Sequence, residues 1–429
     1  MNRQLLNLLK IILDRKITSV PLKVMRKLRK NGIKRLPDCS KGLKAQLSAL
    51  KFAKQWLSGE RLTRHANRWV LNSFFPPFPS KAFNRMFENM LSGRKFSPVS
   101  AYIAIIDKCP FSCRHCSAKM RKSIDFSTGQ IKDIISQLHD LGVSVIGLTG
   151  GEPLLRHDLC QIIKHASDLG IETVVFTSGH WLTQEYAYSL KNTGLWGVCI
   201  SLDSSDAESF NKFRNSQKAF STAISAIHAS KQMGLYTMIG AVATPEFVDK
   251  KHYKSLYNFA ASKNIDELRI VEPMPSGRLR DYHYQFLLNK QQIDTLKNFH
   301  QKMNQGKEYT KVCAFNHIES PELLGCGGGT QHMYIDAGGE VCPCYFTAMS
   351  FGNVTKEPLF DIWQRMNEAM IMPRRNCFVQ TNYEAINQAA KDTGEYPLSP
   401  KSSCQLCQET GQDDLPDYFK VVMEQQGNT

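Results

Sequence analysis

The sequence lacks any run of about 18 uncharged apolar residues, which excludes an ordinary membrane-spanning helix. Acidic residues are nearly missing from the first 95 positions, which hold 4 Asp/Glu against 22 Lys/Arg. The rest of the chain holds 35 Asp/Glu and 32 Lys/Arg. The formal charge of +15 is therefore +18 on the first segment and −3 on the remainder. Cysteine, at 13 in 429 residues, is too sparse for a small disulfide scaffold. Hydrophobic residues are not scarce: at 42%, with 10% aromatics, they exclude a disordered chain. The N-terminal apolar stretch from Leu5 to Leu13 is broken by Asn7 and Lys10, and no small-residue cleavage site follows. It reads poorly as a signal peptide. Twelve of the thirteen cysteines lie between Cys109 and Cys407. Such clustering without a secretion signal favours metal ligation over disulfides.

From Ser100 onward, short apolar runs alternate with helical periodicity. Strands are expected at Ala101–Ile106, Val143–Leu148, Glu172–Phe176, Gly197–Leu202, Tyr236–Ala243 and Glu267–Val271. Helices are expected across Gln130–Leu141, Asp158–Asp168, Gln184–Lys191, Ala219–Met233 and Lys251–Ala261. Continuous apolar strands alternating with helices indicate a parallel sheet covered on both faces. A barrel or partial barrel closes such a sheet, with function in the loops after the strand C-termini.

Cys109, Cys113 and Cys116 directly follow the first strand with C-x3-C-x2-C spacing. Three thiolates in one loop hold three corners of an iron–sulfur cube and leave the fourth iron open. A structural zinc site wants four closed ligands, and His115, adjacent to Cys116, is an awkward fourth. The segment Asp107-Lys108-Cys109-Pro110-Phe111-Ser112-Cys113-Arg114-His115-Cys116 resembles the signature loop of the radical S-adenosylmethionine (SAM) enzymes. Thr149-Gly150-Gly151-Glu152-Pro153-Leu154, after the second strand, resembles the motif that in the family receives the SAM amino group.

Later strand ends agree with the resemblance. Thr177-Ser178-Gly179 is similar to the family's Thr-Asn-Gly, and Ser201-Leu202-Asp203 to its Ser-Leu-Asp near the SAM ribose. Arg214 stands where the family often pairs an arginine with the SAM carboxylate, although Asn211 and Asn215 replace the usual acid and glycine around it. The resemblance thus implies SAM contacts at Gly150, Gly151, Glu152, Ser178, Ser201, Asp203 and Arg214. It also implies a [4Fe-4S] cluster on Cys109, Cys113 and Cys116, and a reducing partner such as flavodoxin or ferredoxin.

A second pattern begins at Cys326. Gly339 follows after twelve residues and Cys344 after four more, around a hairpin with an Asp336-Ala337-Gly338-Gly339 turn. Cys404-Gln405-Leu406-Cys407 comes later. This resembles the SPASM and twitch auxiliary-cluster domains of the same superfamily, as do Phe351-Gly352-Asn353-Val354 and Phe360-Asp361-Ile362-Trp363. No cysteine follows Cys407, so one auxiliary cluster, a [4Fe-4S], is expected on Cys326, Cys344, Cys404 and Cys407. Cys377 is the best substitute ligand; Cys342 and Cys313 also compete, and zinc is the rival metal. Cys39, Cys160 and Cys199 read as structural residues. Pro275-Ser276-Gly277-Arg278 resembles a turn of many SPASM enzymes, with Arg278 orienting SAM or substrate, or facing solvent. Tyr282, His283 and Tyr284 follow within reach of a pocket.

The expected architecture is α/β: a partial (β/α)6 TIM-like barrel over 96–310, a small auxiliary-cluster domain over 311–429, and a basic, mainly helical extension over 1–95. The extension reads as an amphipathic cap on the barrel or as a segment on an anionic membrane surface. Its Leu5, Leu8, Leu9 and Ile12 share one helical face, and Lys23 to Arg35 carries seven cations and no acid. Nucleic acid is disfavoured because no recognition motif accompanies the charge. Trp69, Phe74, Phe75, Phe78, Phe83 and Phe87 form an aromatic patch that packs on the barrel or lines an apolar entrance. The functional expectation is an enzyme that cleaves SAM reductively and abstracts hydrogen from a peptide, small molecule or lipid. Its expected location is cytoplasmic, with membrane association as a variant. The rival from another class is a non-catalytic, zinc-stabilised module that binds nucleic acid or membrane.

Overall fold

A computed structural model of the chain describes residues 57, 59–91, 97–119, 121–280, 286–306 and 308–420. The Leu5–Leu13 face, the Lys23–Arg35 stretch, Cys39 and the Tyr282–Tyr284 segment lie outside the described residues. Among the described residues, no helix is long and apolar enough to cross a membrane.

A short hairpin comes first, β1 (Thr63–His65) and β2 (Arg68–Val70). The barrel strands follow: β3 (Ser100–Ile106), β4 (Val145–Gly150), β5 (Glu172–Thr177), β6 (Gly197–Ser201), β7 (Tyr236–Val242) and β8 (Glu267–Val271). All six are parallel neighbours in chain order. Their side chains are buried on both faces, as their near-continuous apolar composition requires.

The second barrel strand starts two residues later than the sequence suggests. The preceding helix, Thr128–Leu141, opens on a reciprocal Ser127–Gln130 capping box and stops at Gly142, whose φ is 98°. Val143 N–H then closes onto Leu138 O and Ser144 N–H onto Val99 O, so both residues belong to the turn out of the helix.

Three further strands enlarge the sheet. β9 (Lys311–Ala314) lies parallel to β8, and β10 (His332–Ile335) lies parallel to β3. β10 also pairs antiparallel with β11 (Val341–Cys342), forming the expected hairpin. The sheet thus has nine strands in the order β11-β10-β3-β4-β5-β6-β7-β8-β9. The segment beyond residue 310 is built onto both edges of the barrel sheet.

The described part of the N-terminal segment closes one end of the barrel. Lys311 Nζ donates to Val70 O and Leu71 O, each at 3.0 Å. Arg269 lies over the rings of Phe74, Phe176 and Phe315, at 5.2, 5.4 and 5.0 Å from their centroids. The aromatic patch therefore packs on the barrel and also bounds a cavity of about 920 Å³. This cavity runs along the inner face of β3–β5, where Tyr102, Gly147 and Phe176 line it. Gly147 is required there: a Cβ would press into both flanking rings.

Candidate active site

The loop after β3 carries the three cysteines, and its neighbours are the motifs at the other strand ends. Gly151 N–H donates to Ile106 O at 2.7 Å, and Glu152 N–H to Lys108 O at 2.8 Å. Gly150 has φ 128°, and a Cβ there would collide with Ile106 O. A Cβ on Gly151 would collide with the carbonyls of Asp107 and Lys108. The glycine pair is thus explained first by the chain itself: it lets the cysteine loop lie directly on β4.

Glu152 is fully buried, and its carboxylate is occupied by protein donors. Thr177 Oγ1 donates at 2.6 Å, Ser178 N–H at 2.8 Å and Leu154 N–H at 3.2 Å; the Ser178 hydroxyl also donates. Burial pushes its pKa up and these donors pull against it. The geometry makes Glu152 a tie between the ends of β4 and β5, with Ser178 as its partner. Glu152→Ala would leave these donors without an acceptor, costing ~3–5 kcal/mol of stability. Denaturant unfolding should show that loss, with a smaller one for Glu152→Gln, which keeps an acceptor oxygen.

Asp203 and Arg214 meet as the motif order suggests. Arg214 Nε donates to Asp203 Oδ2 at 2.8 Å, and Asp203 Oδ1 accepts from Val242 N–H at 2.9 Å. Arg214 is 8% exposed, so it is not a solvated surface arginine. Its Nη1 reaches toward Cys113 Sγ at 3.6 Å. Burial alone would lower its pKa, but Asp203 and Cys113 win and raise it. Ser201 ends β6, half-buried and paired with Gly240 of β7. His115 stacks on Phe213 with ring centroids 4.5 Å apart. Burial, with Arg214 beside it, lowers its pKa to about 4 and keeps it neutral.

Arg278 has a role the sequence left open. Its Nη1 donates to Cys113 O at 2.8 Å and its N–H to Cys116 O at 3.0 Å. Gly277, with φ 55°, abuts Cys116 O so closely that a Cβ would not fit. The Gly277-Arg278 turn clamps the cysteine loop from the far end of the sheet.

Cys326, Cys344 and Cys377 come together at one wall of the cavity. An antiparallel bridge between Cys326 and Arg374, with Cys326 N–H on Arg374 O at 2.8 Å, brings in the N-terminus of the helix Phe378–Thr393. Cys377 is the cap residue of that helix. The Cys377 thiol hydrogen-bonds Cys326; this lowers the Cys326 pKa and raises that of Cys377. Backbone N–H groups of Phe378 and Gly328 point at Cys326, that of Gln380 at Cys377 and that of Phe346 at Cys344.

The other cysteines lie elsewhere. Cys404 and Cys407 share the helix Pro400–Thr410, where Cys407 has Arg374 and Cys404 as its charged neighbours, and Cys404 has Arg365 and Glu368. Each is half-buried or buried, and neither enters the group formed by Cys326, Cys344 and Cys377. The structure thus brings Cys377 beside Cys326 and Cys344, and places the expected partners Cys404 and Cys407 on a separate helix. Helix docking causes this, and spacing alone does not show it. Cys342 faces Arg121, whose Nη1 is 3.2 Å from its sulfur, and Cys313 is buried within β9. Cys199 is buried in β6, and Cys160 sits half-buried on the helix Leu159–Asp168.

Both thiol groups fit iron–sulfur clusters. No described cysteine is in a disulfide. Burial raises the Cys109 pKa to about 11 and that of Cys344 to about 11, which makes these thiolates costly without a cation. Backbone amides aimed at the sulfurs supply the hydrogen bonds that thiolates accept in clusters. Tyr345 stands between the two groups: it follows Cys344 in the chain, and Cys116, Cys109 and Cys113 are among its charged neighbours.

Sequence reasoning missed Glu319, a carboxyl on the wall of the same cavity. No motif marks it. It is exposed, and it lines the cavity. Desolvation, reinforced by Cys326 and Glu272 and opposed by Arg269, pushes its pKa up to about 8.

Comparison with known proteins agrees with this geometry. The family model described as the radical SAM superfamily matches residues 103–256, and that of an iron–sulfur cluster-binding domain, SPASM, matches 326–391. The AdoMet-dependent heme synthase of Nitratidesulfovibrio vulgaris is 26% identical over 295 residues, covering 63% of this chain and 80% of that one. The PqqA peptide cyclase of Streptomyces rochei is 24% identical over 278 residues, covering 62% and 76%. Among solved structures, Streptococcus suis SuiB bound to S-adenosylmethionine has the same fold, with a TM-score of 0.53 at 15% identity over 76% of each chain. The anSMEcpe structure with bound AdoMet gives 0.51 at 18% identity over 76% of this chain and 97% of that one. These matches overturn the alternative of a non-catalytic zinc module. With a three-cysteine loop locked onto a partial barrel and a second thiol group on its extended sheet, the chain belongs to the radical SAM superfamily: an enzyme that uses SAM and a [4Fe-4S] cluster and carries an auxiliary iron–sulfur domain.

Proposed function

We propose that this enzyme abstracts hydrogen from a largely apolar organic molecule held in the barrel cavity. The observation that carries this reading is the cavity itself: about 920 Å³, walled by Phe74, Phe78, Phe83, Tyr102 and Phe176, and reaching Cys326, Cys344 and Cys377. Its size suits a molecule of several rings or a folded isoprenoid rather than a nucleotide alone. When bound, SAM and its cluster supply a 5′-deoxyadenosyl radical after one-electron reduction. The chain's own groups do the remaining work. Arg214 and Asp203 form a fixed charged pair at the mouth of β6, and Glu152 holds the β4 and β5 ends in register. The aromatic walls exclude water from a reactive intermediate.

In this reading Cys326, Cys344 and Cys377 hold the auxiliary cluster, at the wall where an electron from an oxidised substrate would leave the cavity. Free thiols in such number suit a reducing compartment, and a cytoplasmic flavodoxin or ferredoxin is the natural electron source. A heme synthase is among the relatives, and a molecule of heme's size is compatible with this cavity.

The test uses anaerobic enzyme, SAM and a strong reductant, with perdeuterated cell extract split into organic-soluble and peptide fractions. Deuterium should enter 5′-deoxyadenosine from the organic fraction. Deuterium transfer from the peptide fraction alone overturns the apolar reading.

A further inference from the structure

We infer that His332 is the group that reads the bound molecule: its Nε2 accepts a hydrogen bond from a hydroxyl, so the cavity takes an apolar molecule that carries one. The inference rests on the proposal that this cavity is the substrate site.

His332 opens β10, and its register partner is Ser100, the first residue of β3. Both line the cavity. The backbone of His332 is fixed by the preceding loop: its N–H donates to Gly327 O at 2.9 Å, and its carbonyl accepts from Gly329 N–H at 2.9 Å. The ring is fixed as well. It stands edge-on to Tyr102, with centroids 4.8 Å apart and planes at 86°. Its Nδ1 lies 2.8 Å from Ser100 Oγ, and the Ser100 carbonyl is a further acceptor for the ring. Two acceptors from one residue hold the proton on Nδ1 and leave Nε2 as a bare acceptor. Burial lowers the ring's pKa to about 4 and keeps it neutral.

Among the described residues no protein group bonds Nε2, and the ring is half-buried on the cavity wall. Other polar side chains of the lining are engaged with protein. Tyr102 takes Arg269 Nη2 on its hydroxyl oxygen at 3.2 Å, and the Ser73 hydroxyl donates to Glu267. Glu272 accepts from Gln380 at 2.8 Å, and Lys297 pairs with Glu322 at 3.2 Å. An acceptor set among aromatic rings discriminates. A molecule with a hydroxyl satisfies it, whereas one of the same shape without a donor leaves it desolvated and unpaired. Because β10 joins the auxiliary hairpin to β3, the hydroxyl end is held at the seam between barrel and auxiliary segment.

The experiment uses the full chain, reconstituted anaerobically, in equilibrium dialysis against 2-naphthol, 2-methylnaphthalene and 2-methoxynaphthalene. 2-Naphthol should bind about 10-fold more tightly than the other two, the yield of one hydrogen bond. His332→Leu should bring all three within about twofold of one another, with 2-methylnaphthalene unchanged, which also shows that the variant is folded. His332→Gln, whose amide oxygen accepts, should keep part of the preference. Ser100 acts as a positioning residue: Ser100→Ala should reduce the preference and Ser100→Thr restore it. If none of the probes binds, the cavity reading fails and this inference with it. If 2-naphthol and 2-methylnaphthalene bind equally well, the hydroxyl inference alone is overturned. A 2-naphthol preference that survives His332→Leu overturns it, as does tighter binding of 2-methoxynaphthalene, which accepts but cannot donate.

Discussion

Cys113→Ala should abolish 5′-deoxyadenosine formation, a fall of more than ~10³-fold, and reduce iron from about eight to about four per chain. The expectation follows from how tightly this cysteine is built in. Its carbonyl accepts from Arg278 Nη1 at 2.8 Å, and its sulfur lies 3.6 Å from Arg214 Nη1. Removing the sulfur takes one of three ligands from a loop that has no spare thiol. It leaves the backbone clamp intact, so the fold and the auxiliary cluster should survive. Iron analysis and circular dichroism on the same sample separate these effects. Retention of both clusters with full SAM cleavage would show that the loop is not the primary site. Arg278→Ala should be milder: it loosens the grip on the loop carbonyls and lowers cluster retention without removing a ligand.

Cys377→Ala should lose the auxiliary cluster, about four irons, whereas the Cys404→Ala/Cys407→Ala double variant should keep it. The two results together are diagnostic. Cys377 hydrogen-bonds Cys326 and caps a helix of 16 residues whose first amides face the sulfurs. The positive end of that helix favours thiolates at this point. Cys404 and Cys407 lie on another helix, within reach of Arg365 and Arg374. Electron paramagnetic resonance of the reduced proteins reads out the surviving clusters. Loss of iron in the double variant, with Cys377→Ala unaffected, would restore the ligand set expected from the sequence.

Much of the first site is legible in the chain. Cysteine spacing after a strand, a Gly-Gly-Glu turn after the next, and Asp203 with Arg214 further on are local features, each tied to one strand end. A parallel sheet sets those ends side by side, so order along the chain becomes order in space. The roles of individual residues are less visible. Glu152 and Ser178 are separated by 26 positions and bond each other only because β4 and β5 are neighbours. The motif suggests glycines that admit a ligand, yet their first constraint is the approach of the chain's own carbonyls.

The auxiliary site divides along the same line. The hairpin and the Cys326–Cys344 spacing are short-range, and both are readable. Local signal ranks Cys377 behind Cys404 and Cys407, because a C-x2-C pair is the stronger pattern. Docking of the helix Phe378–Thr393 through the Cys326–Arg374 bridge reverses that order. Glu319 carries no signal at all: its placement depends on β9, a further parallel strand that the βα rhythm does not announce.

By itself the sequence determined the family chemistry, the six-strand barrel and the confinement of net positive charge to the first 95 residues. Tertiary structure alone decided which thiols meet, what Glu152 and Arg278 hold, and that an aromatic-walled cavity joins the barrel to the auxiliary site. The physical reason is range. Spacing and periodicity act over a few residues of chain, whereas ligand sets and cavities are made by side chains from elements that only packing brings together.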